Sequence, residues 1–582
     1  MAEDQLTRWV RQHNEHLRIK QPWNTHYQSL AEVFFTRKRD FESTISPGEF
    51  LQDDIFSNVG QFAGFLHASV SVSMLWPDAA RTFTLDPVRQ IKDFPGVVEW
   101  FRQVTEDMQM TADAPRAGLT LAFMEHHADR GVFGTSGVGA FENPDLDDEE
   151  APTLFEAWDI KSMCIAENSQ GFVNEIYLLQ QKTVRQVVEE YGNTGKVSPK
   201  VLELYKEQKY EEKVDVLKII EPKRADLTKK GIAAMRVRTV HIDKTNKFLM
   251  RESGYADMPV FVSRMFKTKG EPYGRSSGML ALPDMLSLNV LSESILVATE
   301  KKLDPPLGVL DNGRLGSGSI NTSAGAINVF DASGRIDGSG NPIFPLFTVD
   351  DLLQAKEHKE ELKQSVMQAF FLDRLLDLNN QTQMTAYETS VRDRLRGEAM
   401  GSVFGREISE VNTPLIKRHF KVCYDRQRFG AIPGVDPRNS KWNNVLGGAG
   451  KRMVVPDVVA KAIAQGLQVF DINYISPAKR FMQGEKLQGL MTATDIILAL
   501  DAVMPGIKDS VNPDRFAEAV YKYSGAPAET KRTPRELEQY RAAQADRAQA
   551  EDMLDAAKSA SESARNVAQA RATMGTTGGG QK

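Results

Sequence analysis

The chain has 582 residues, a formal net charge of −6, 41% hydrophobic and 26% charged residues. That length predicts roughly three to four structural units, and the composition excludes a disordered chain or a membrane protein. Sequence-independent nucleic-acid binders normally carry a basic face, so nothing in this balance announces a nucleic-acid binder; if the chain handles DNA, it guides it rather than grips it.

Cys164 and Cys423 are the two cysteines. So far apart, they offer neither a disulfide framework nor a usual zinc site, and they predict a reducing environment. The start, Met1-Ala2-Glu3-Asp4-Gln5-Leu6, lacks the basic-then-apolar order of a signal peptide. The most apolar window, Ala281 to Ala298, is interrupted by Pro283, Asp284 and Glu293. A soluble protein made in the cytoplasm is expected.

In chain order, the part up to about Phe141 reads as mostly helical. Thr44 to Leu75 places Phe50, Ile55, Phe62, Phe65 and Leu66 at helical spacing and should stop at Trp76-Pro77. Helices are also predicted over Pro87 to Thr105 and Pro115 to Arg130. The acidic run within Asn143 to Glu150 predicts a solvated loop, not a metal site. From Thr153 to Arg264 the period changes. Phe172 to Leu179 and Met235 to Ile242 alternate like strands, with a helix at Val184 to Tyr191 between them. This predicts an α+β region with an antiparallel sheet.

Met279 to Leu303 predicts a helix of about 25 residues, about 37 Å long. Its apolar positions (Met285, Leu286, Leu288, Val290, Leu291, Ile295, Leu296, Val297) cover most of its circumference, so it must be buried on many sides. Pro305-Pro306 stops it. Leu307 to Phe347 follows, rich in Gly, Ser and Asn, with β-like pieces at Ala326 to Phe330 and Ile343 to Phe347. A second helix is predicted over Asp350 to Leu378, with Leu362, Val366 and Phe370 on one stripe. After a polar break at Asn379 to Gln383, a helical stretch runs from Met384 to about Phe429, kinked by Pro414. Pro433 to Lys451 reads as loop, then helices to Ser524. Beyond Arg535 the Ala/Gln-rich composition predicts a solvated helix or a disordered tail.

Chemistry-bearing motifs are scarce. Gly192 to Lys196 and Gly447 to Lys451 lack the phosphate-loop spacing, and Val197 and Arg452 stand where Ser or Thr would hold magnesium. Glu125-His126-His127 resembles half a metalloprotease motif. Adjacent histidines on a helix point about 100° apart, which argues for a surface or capping pair and against a shared metal. No Gly-x-Ser-x-Gly elbow occurs. Arg392, Arg394, Arg396, Arg406, Lys417 and Arg418 alternate with Glu388, Asp393, Glu398, Glu407 and Glu410, as in a salt-bridged solvated or inter-subunit face. Contact with phosphates in a channel is the functional alternative. Lys301-Lys302 suit a helix C-terminus.

One ordered set of residues carries a resemblance. Gly171-x-Val173-x-x-x-Tyr177 and Thr183-Val184-x-Gln186 come first. Gly254-Tyr255-x-x-Met258-Pro259-Val260-x-x-x-Arg264 and Gly270-Glu271-x-Tyr273-Gly274-Arg275-Ser276 follow. Then come Leu282-Pro283-Asp284-x-x-x-Leu288-Asn289 and Lys302-Leu303-Asp304-Pro305-Pro306-Leu307. Gln383 to Glu388 and Asn473-Tyr474-Ile475-Ser476-Pro477 complete the set. Together, from roughly Phe50 to Asp514, it resembles the podovirus head-to-tail connector (portal protein) family of short-tailed bacteriophages. The segment Leu75-Trp76-Pro77 is less proline-rich than the family's usual form, and the tail after Arg535 has no counterpart.

The resemblance implies an α+β, mostly helical portal fold in a ring-shaped homo-dodecamer at one capsid vertex. Its parts would be a wing (1–278), stem helix 1 (279–303), clip (304–349), stem helix 2 (350–378), tunnel loop (379–390), wing return (391–450), crown (451–534) and tail (535–582). The ring would be the channel for genome packaging and ejection. Partners would be terminase large subunit, tail adaptor or nozzle proteins, and the major capsid and scaffolding proteins. Double-stranded DNA would pass without sequence specificity. No membrane, catalytic residue, metal or cofactor is expected. Candidate DNA-facing residues are Lys301, Lys302, Asn379, Asn380, Gln381 and Gln383. Candidate clip docking residues are Leu307, Arg314, Asn321, Phe330 and Arg335. The alternatives are a soluble multidomain hydrolase with a site assembled from distant residues, or another structural capsid or tail protein.

Overall fold

The structure is a computed structural model. It describes residues 2–42, 48, 53–77, 81–145, 148, 150–193, 195–223, 235–311, 320–331, 343–346, 352–375, 401, 403–433, 454–475, 489–497, 499–500, 511–524 and 534–575. The chain divides into two compact units, residues 1–482 and 483–582.

The first unit begins with helix α1 (Ala2–Phe34). Tyr27, Leu30, Ala31 and Phe34 recur at i, i+3, i+4 and i+7 and are all buried, which is why this stripe seats on the core. Helix α2 (Val59–Leu75) ends at Trp76, as Pro77 requires, but starts well after Thr44. Of the apolar stripe expected there, Phe62 and Phe65 are exposed. Strand β1 (Phe83–Pro87) and helix α3 (Val97–Ala112) correct the helix expected over Pro87 to Thr105. Pro87 closes a strand, and Gly96, at φ 80°, makes the left-handed turn from which α3 starts. Helix α4 (Leu119–Phe133) and strand β2 (Thr135–Glu142) follow.

Strands β3 (Thr153–Trp158), β4 (Met163–Glu167) and β5 (Val173–Thr183) lead into helices α5 (Val184–Tyr191) and α6 (Pro199–Lys206). Strands β6 (Lys213–Pro222), β7 (Val237–Asp243), β8 (Phe248–Tyr255) and β9 (Val260–Arg264) complete this region. The antiparallel sheet expected from the alternation is five-stranded, in the order β4-β5-β6-β7-β8. Its pleat divides residues between two cores. Ile176, Leu178 and Ile220 join a cluster with α1 and α4, while Tyr177, Leu217 and Ile219 face Trp9. Helix α5 spans the expected residues because Thr183 and Gln186 form a reciprocal capping box.

Helix α7 (Ser277–Leu303) is followed by strands β10 (Leu307–Asp311), β11 (Ile327–Asp331) and β12 (Ile343–Pro345), then α8 (Leu353–Ala369) and α9 (Leu372–Leu375). The second long helix is therefore broken, at Phe370 and Phe371. Phe371 has φ 59°, and Phe370 turns its ring into the core beside Phe34. Further on, Ile408–Asn412 is a π turn running into α10 (Thr413–Asp425). Proline 414 withholds an N–H from the ladder there, and the π turn absorbs the disruption. Helix α11 (Asp457–Ala464) precedes strand β13 (Phe470–Tyr474), which pairs antiparallel with β1. That strand corrects a reading of helix throughout this stretch. An aromatic core including Trp76, Phe83, Trp100, Phe101, Phe123, Phe420 and Phe470 packs α3, α4, α10 and the β1–β13 ladder together.

In the second unit, helix α12 (Pro513–Ser524) and helix α13 (Pro534–Gly575) are tied by an Arg541–Asp514 ion pair. The 42 residues of α13 span about 63 Å, and apart from half-buried Leu537 its described side chains are exposed.

Candidate functional site

The segment from Arg264 to Pro345 holds the densest run of motif residues, and the structure gives several of them a structural role. Arg264, fully buried, donates through Nη2 to Glu410 Oε1 (2.9 Å) and to the Gly171 carbonyl (3.0 Å), and pairs with Glu167. Its backbone N–H donates to Glu410 Oε2 at 3.0 Å. Residues far apart in sequence, Gly171, Arg264 and Glu410, thus close one knot between the sheets and the π turn. Gly274 donates its N–H to Thr135 Oγ1 at 2.8 Å, and a Cβ there would lie 2.5 Å from the Gly134 carbonyl oxygen. The reciprocal Cβ on Gly134, at φ 85°, would lie 2.3 Å from the Gly274 oxygen. The two backbones touch, so neither position accommodates a side chain. Ser276 caps α7, accepting from the Met279 N–H (2.9 Å) and donating to the Val132 carbonyl (2.6 Å).

Helix α7 starts two residues earlier than expected, so Pro283 lies in its second turn. Asn289 staples the residues before α2: its Oδ1 accepts from Phe56 N (2.8 Å) and Ser57 N (3.2 Å), and its Nδ2 donates to Asp54 O (2.8 Å). Ala281, Met285 and Leu288 are buried, and Asp284 accepts from Ser365 Oγ of α8 at 2.5 Å. Leu280, Leu286, Val290, Leu296, Val297 and Leu303, by contrast, are exposed, Val290 at 62% and Leu303 at 82%. The helix is long and apolar enough to cross a membrane by length and composition. Pro283, Asp284 and Glu293 do not prevent that, but its Met285 face is built into the core of the first unit.

At the far end Asp304 donates its N–H to Glu300 O, and its carbonyl accepts from Gly325 N at 2.9 Å. Strand β10 pairs in parallel with β11 and antiparallel with β12. Among the candidate residues, Leu307 lies on β10 and Phe330 on β11, with the Phe330 ring 6.3 Å from Phe344. Asn321 is exposed and exchanges two hydrogen bonds with Asn328. Lys301 and Lys302 occupy the last turn of α7, Lys302 exposed. Arg314, Arg335, Asn379, Asn380, Gln381 and Gln383 lie outside the described residues, as do Arg392, Arg394 and Arg396.

Other sequence candidates resolve differently. Arg418 is buried, donating to Ala140 O at 2.6 Å with its guanidinium 5.0 Å from the Tyr255 ring, so it faces no phosphate. Gly195 donates its N–H to Tyr191 O at the end of α5 and Lys196 donates its N–H to Met250 O of β8, so neither cradles an anion. Gly447 to Lys451 lies outside the described residues. Asp148, within the acidic run, is buried and bonded to Asn143 Nδ2 at 3.1 Å. His126 and His127 are not a surface or capping pair. Both are buried, and His126 Nε2 lies 2.9 Å from Glu407 Oε1. Burial raises the proton affinity of Glu407, but His126 and Arg130 outweigh it and hold the carboxyl well below the usual range. Sequence reasoning missed this cluster because Glu407 is 281 residues from His126.

The model of the family described as bacteriophage head to tail connecting protein matches residues 10–530. The chain belongs to that family. It is a phage portal, or head-to-tail connector, protein: a structural component of the virion neck and not an enzyme. The connector is 25% identical over 570 residues to the portal protein of Salmonella phage epsilon15, covering 96% of this chain and 95% of that one. It is 27% identical over 426 residues to a probable portal protein of Bordetella phage BPP-1, covering 72% and 73%. It also resembles a chain of the native gene transfer agent virion at 11% identity, covering 72% of this chain and 92% of that one. The TM-score there is 0.30, too low to bear on the fold. Among the motif residues of the connector, Ser276, Asp284 and Asn289 hold α7 in place, Gly171 and Arg264 close the knot at the π turn, and Thr183 with Gln186 caps α5.

Proposed function

We propose that this connector works as a closed homo-dodecameric ring of a short-tailed phage, with α7 and α8 as its stem and the β10–β12 sheet as its clip. The observation that carries this reading is the unpartnered apolar stripe of α7. One face of the helix is buried in its own subunit, while Leu280, Leu286, Val290, Leu296, Val297 and Leu303 are exposed. A helix apolar on so many sides calls for burial on several sides, and the neighbouring copies of a closed ring supply it.

In this reading Lys301 and Lys302 lie at the base of the stem near the passing duplex, with Asn379, Asn380, Gln381 and Gln383 in the tunnel loop. The clip, including Leu307, Arg314, Asn321, Phe330 and Arg335, docks terminase during packaging and tail adaptor or nozzle proteins afterwards. Capsid and scaffolding proteins surround the wing, residues 451–534 form the crown, and residues 535–582 are an extension. The chain's net charge of −6 suits a channel through which DNA slides, because tight phosphate contacts would resist each step. End-on electron microscopy of the purified protein is the test. Twelve-fold rings with a central channel are expected, and a chain that stays monomeric under all conditions and forms no ring in capsids would overturn the reading.

A further inference from the structure

The His126–His127–Glu407 cluster is not used by the ring. One candidate ligand atom from each residue lies within 4.8 Å of the others. All three residues are buried, at 0–1% exposure. Two independent features single the cluster out. Both ring nitrogens of His127, and Nδ1 of His126, lack a hydrogen-bond partner among the described residues. An imidazole buried that way forfeits its water hydrogen bonds without replacement, which is costly unless something else takes its lone pair. The second feature is the state of the carboxylate. Arg130 sits 3.0 Å from Glu407 Oε2, yet it donates its Nε–H to Ser263 Oγ and its Nη2 to Val403 O (2.7 Å). Its contact with Glu407 Oε2 is one of charge alone, and Oε2 has no hydrogen-bond partner among the described residues, so the carboxylate keeps lone pairs for another cation.

We infer that His126, His127 and Glu407 bind one divalent first-row transition-metal ion, of the zinc class, inside each subunit. Two imidazoles and one carboxylate are a donor set that such ions favour. Ligand atoms around a tetrahedral ion lie about 3.3 Å apart, from metal–ligand distances of about 2.0–2.2 Å. The His126–Glu407 pair is already that close, and His127, held by no hydrogen bond, supplies the remaining approach by ring rotation. The ion replaces the proton between His126 Nε2 and Glu407 Oε1. It would link α4 to the segment entering the π turn, beside the Arg264–Glu410 knot. The angle between neighbouring histidines on a helix does not forbid this, because the third ligand comes from another element and lies between them.

The test is metal content by mass spectrometry on full-length wild-type protein, purified without chelator from cells grown with added zinc. One ion per subunit is expected. Protein from cobalt-grown cells should show the visible absorption of Co²⁺ in a low-symmetry nitrogen–oxygen site, a readout that needs no variant. His127→Asn, which breaks no hydrogen bond, should assemble as wild type and bind zinc more than about 100-fold more weakly, beyond the loss typical of outer-shell changes. Glu407→Gln should also lose the ion. Wild-type protein without metal and without cobalt absorption overturns the inference. So does a His127→Asn variant that keeps the full complement of ion.

Discussion

Val290→Asp separates ring assembly from subunit folding. Val290 lies on the exposed side of α7, with 62% of its surface open in the isolated subunit. Fully burying a valine contributes about 1.5–3 kcal/mol, so covering that fraction contributes about 1–2 kcal/mol at each subunit contact. An aspartate there loses this term and adds an unpaired carboxylate at a dry interface, a cost of about 3 kcal/mol or more. The sum, about 4–5 kcal/mol, is roughly three orders of magnitude in the association constant, and closing a ring repeats it at every contact. Within the subunit nothing changes. An exposed substitution away from caps and cores usually shifts stability by less than about 0.5 kcal/mol. Light scattering coupled to size-exclusion chromatography should find a monomer where the wild type forms rings. The thermal midpoint of the variant should match that of dissociated wild-type subunits. If Val290→Asp forms rings as readily as wild type, α7 does not contact its neighbours through this face. If its subunit unfolds instead, the stripe is part of the core.

Met285→Ala, on the opposite face of the same helix, should cost about 2–5 kcal/mol of subunit stability through a cavity beside Gly60 and Phe34, read by denaturant melts. Gly274→Ala should be worse tolerated than its size suggests, because the new Cβ meets the Gly134 oxygen at 2.5 Å; soluble expression and melting temperature should both fall. Thr183→Ala removes one half of a capping box and should cost about 1 kcal/mol, with local hydrogen exchange rising at the start of α5. Acid should weaken the first unit through His419. Burial lowers this imidazole from the usual 6.5 to about 4, so the unfolded chain takes up the proton first. Its stabilising contribution is whole above pH 6.5 and is lost as pH falls towards 4. Between pH 7 and pH 5 the loss is about 2 kcal/mol. His419→Gln should flatten that part of the pH–stability curve, and an unchanged slope would refute the assignment.

What was legible in the sequence was local. Thr183 and Gln186 stand three residues apart at the start of α5, and Pro305-Pro306 marks the end of α7, whose start at Ser277 lies two residues before the expected Met279. Strands appear where Phe172 to Leu179 and Met235 to Ile242 predicted them, as β5 and β7, but their buried positions run consecutively because apolar clusters cover both faces of the sheet. What stayed hidden was assembled over distance. Strand β13 reads as part of a helical stretch because its partner β1 lies almost 400 residues earlier, and pairing with that partner overrides the weak local preference. The break at Phe370 and Phe371 has no proline or glycine to mark it. It exists because Phe370 gains a pocket beside Phe34 and His67. His126 and His127 look like polar surface until Glu407 and Arg130 are placed against them.

The motif residues share a physical logic. At the start of α7, Gly134 and Gly274 let two backbones touch, Ser276 bonds α7 back to α4, and Gly278 lies where a Cβ would meet the Val132 oxygen at 2.6 Å. At its end, Asp304 and Gly325 close the exit into the β10–β12 sheet. Between these anchors, Asn289 ties α7 to the residues before α2, and Asp284 ties it to α8. Every one of these contacts lies on the side of α7 that faces its own subunit. Six large apolar residues on α7 take no part in them and remain exposed. A chain selected only to fold alone would gain by making that stripe polar, since exposed apolar surface of this kind invites association. In the proposed ring the anchors and the exposed apolar residues are therefore one design: the first would hold the helix rigidly enough for the second to meet a neighbouring copy in register.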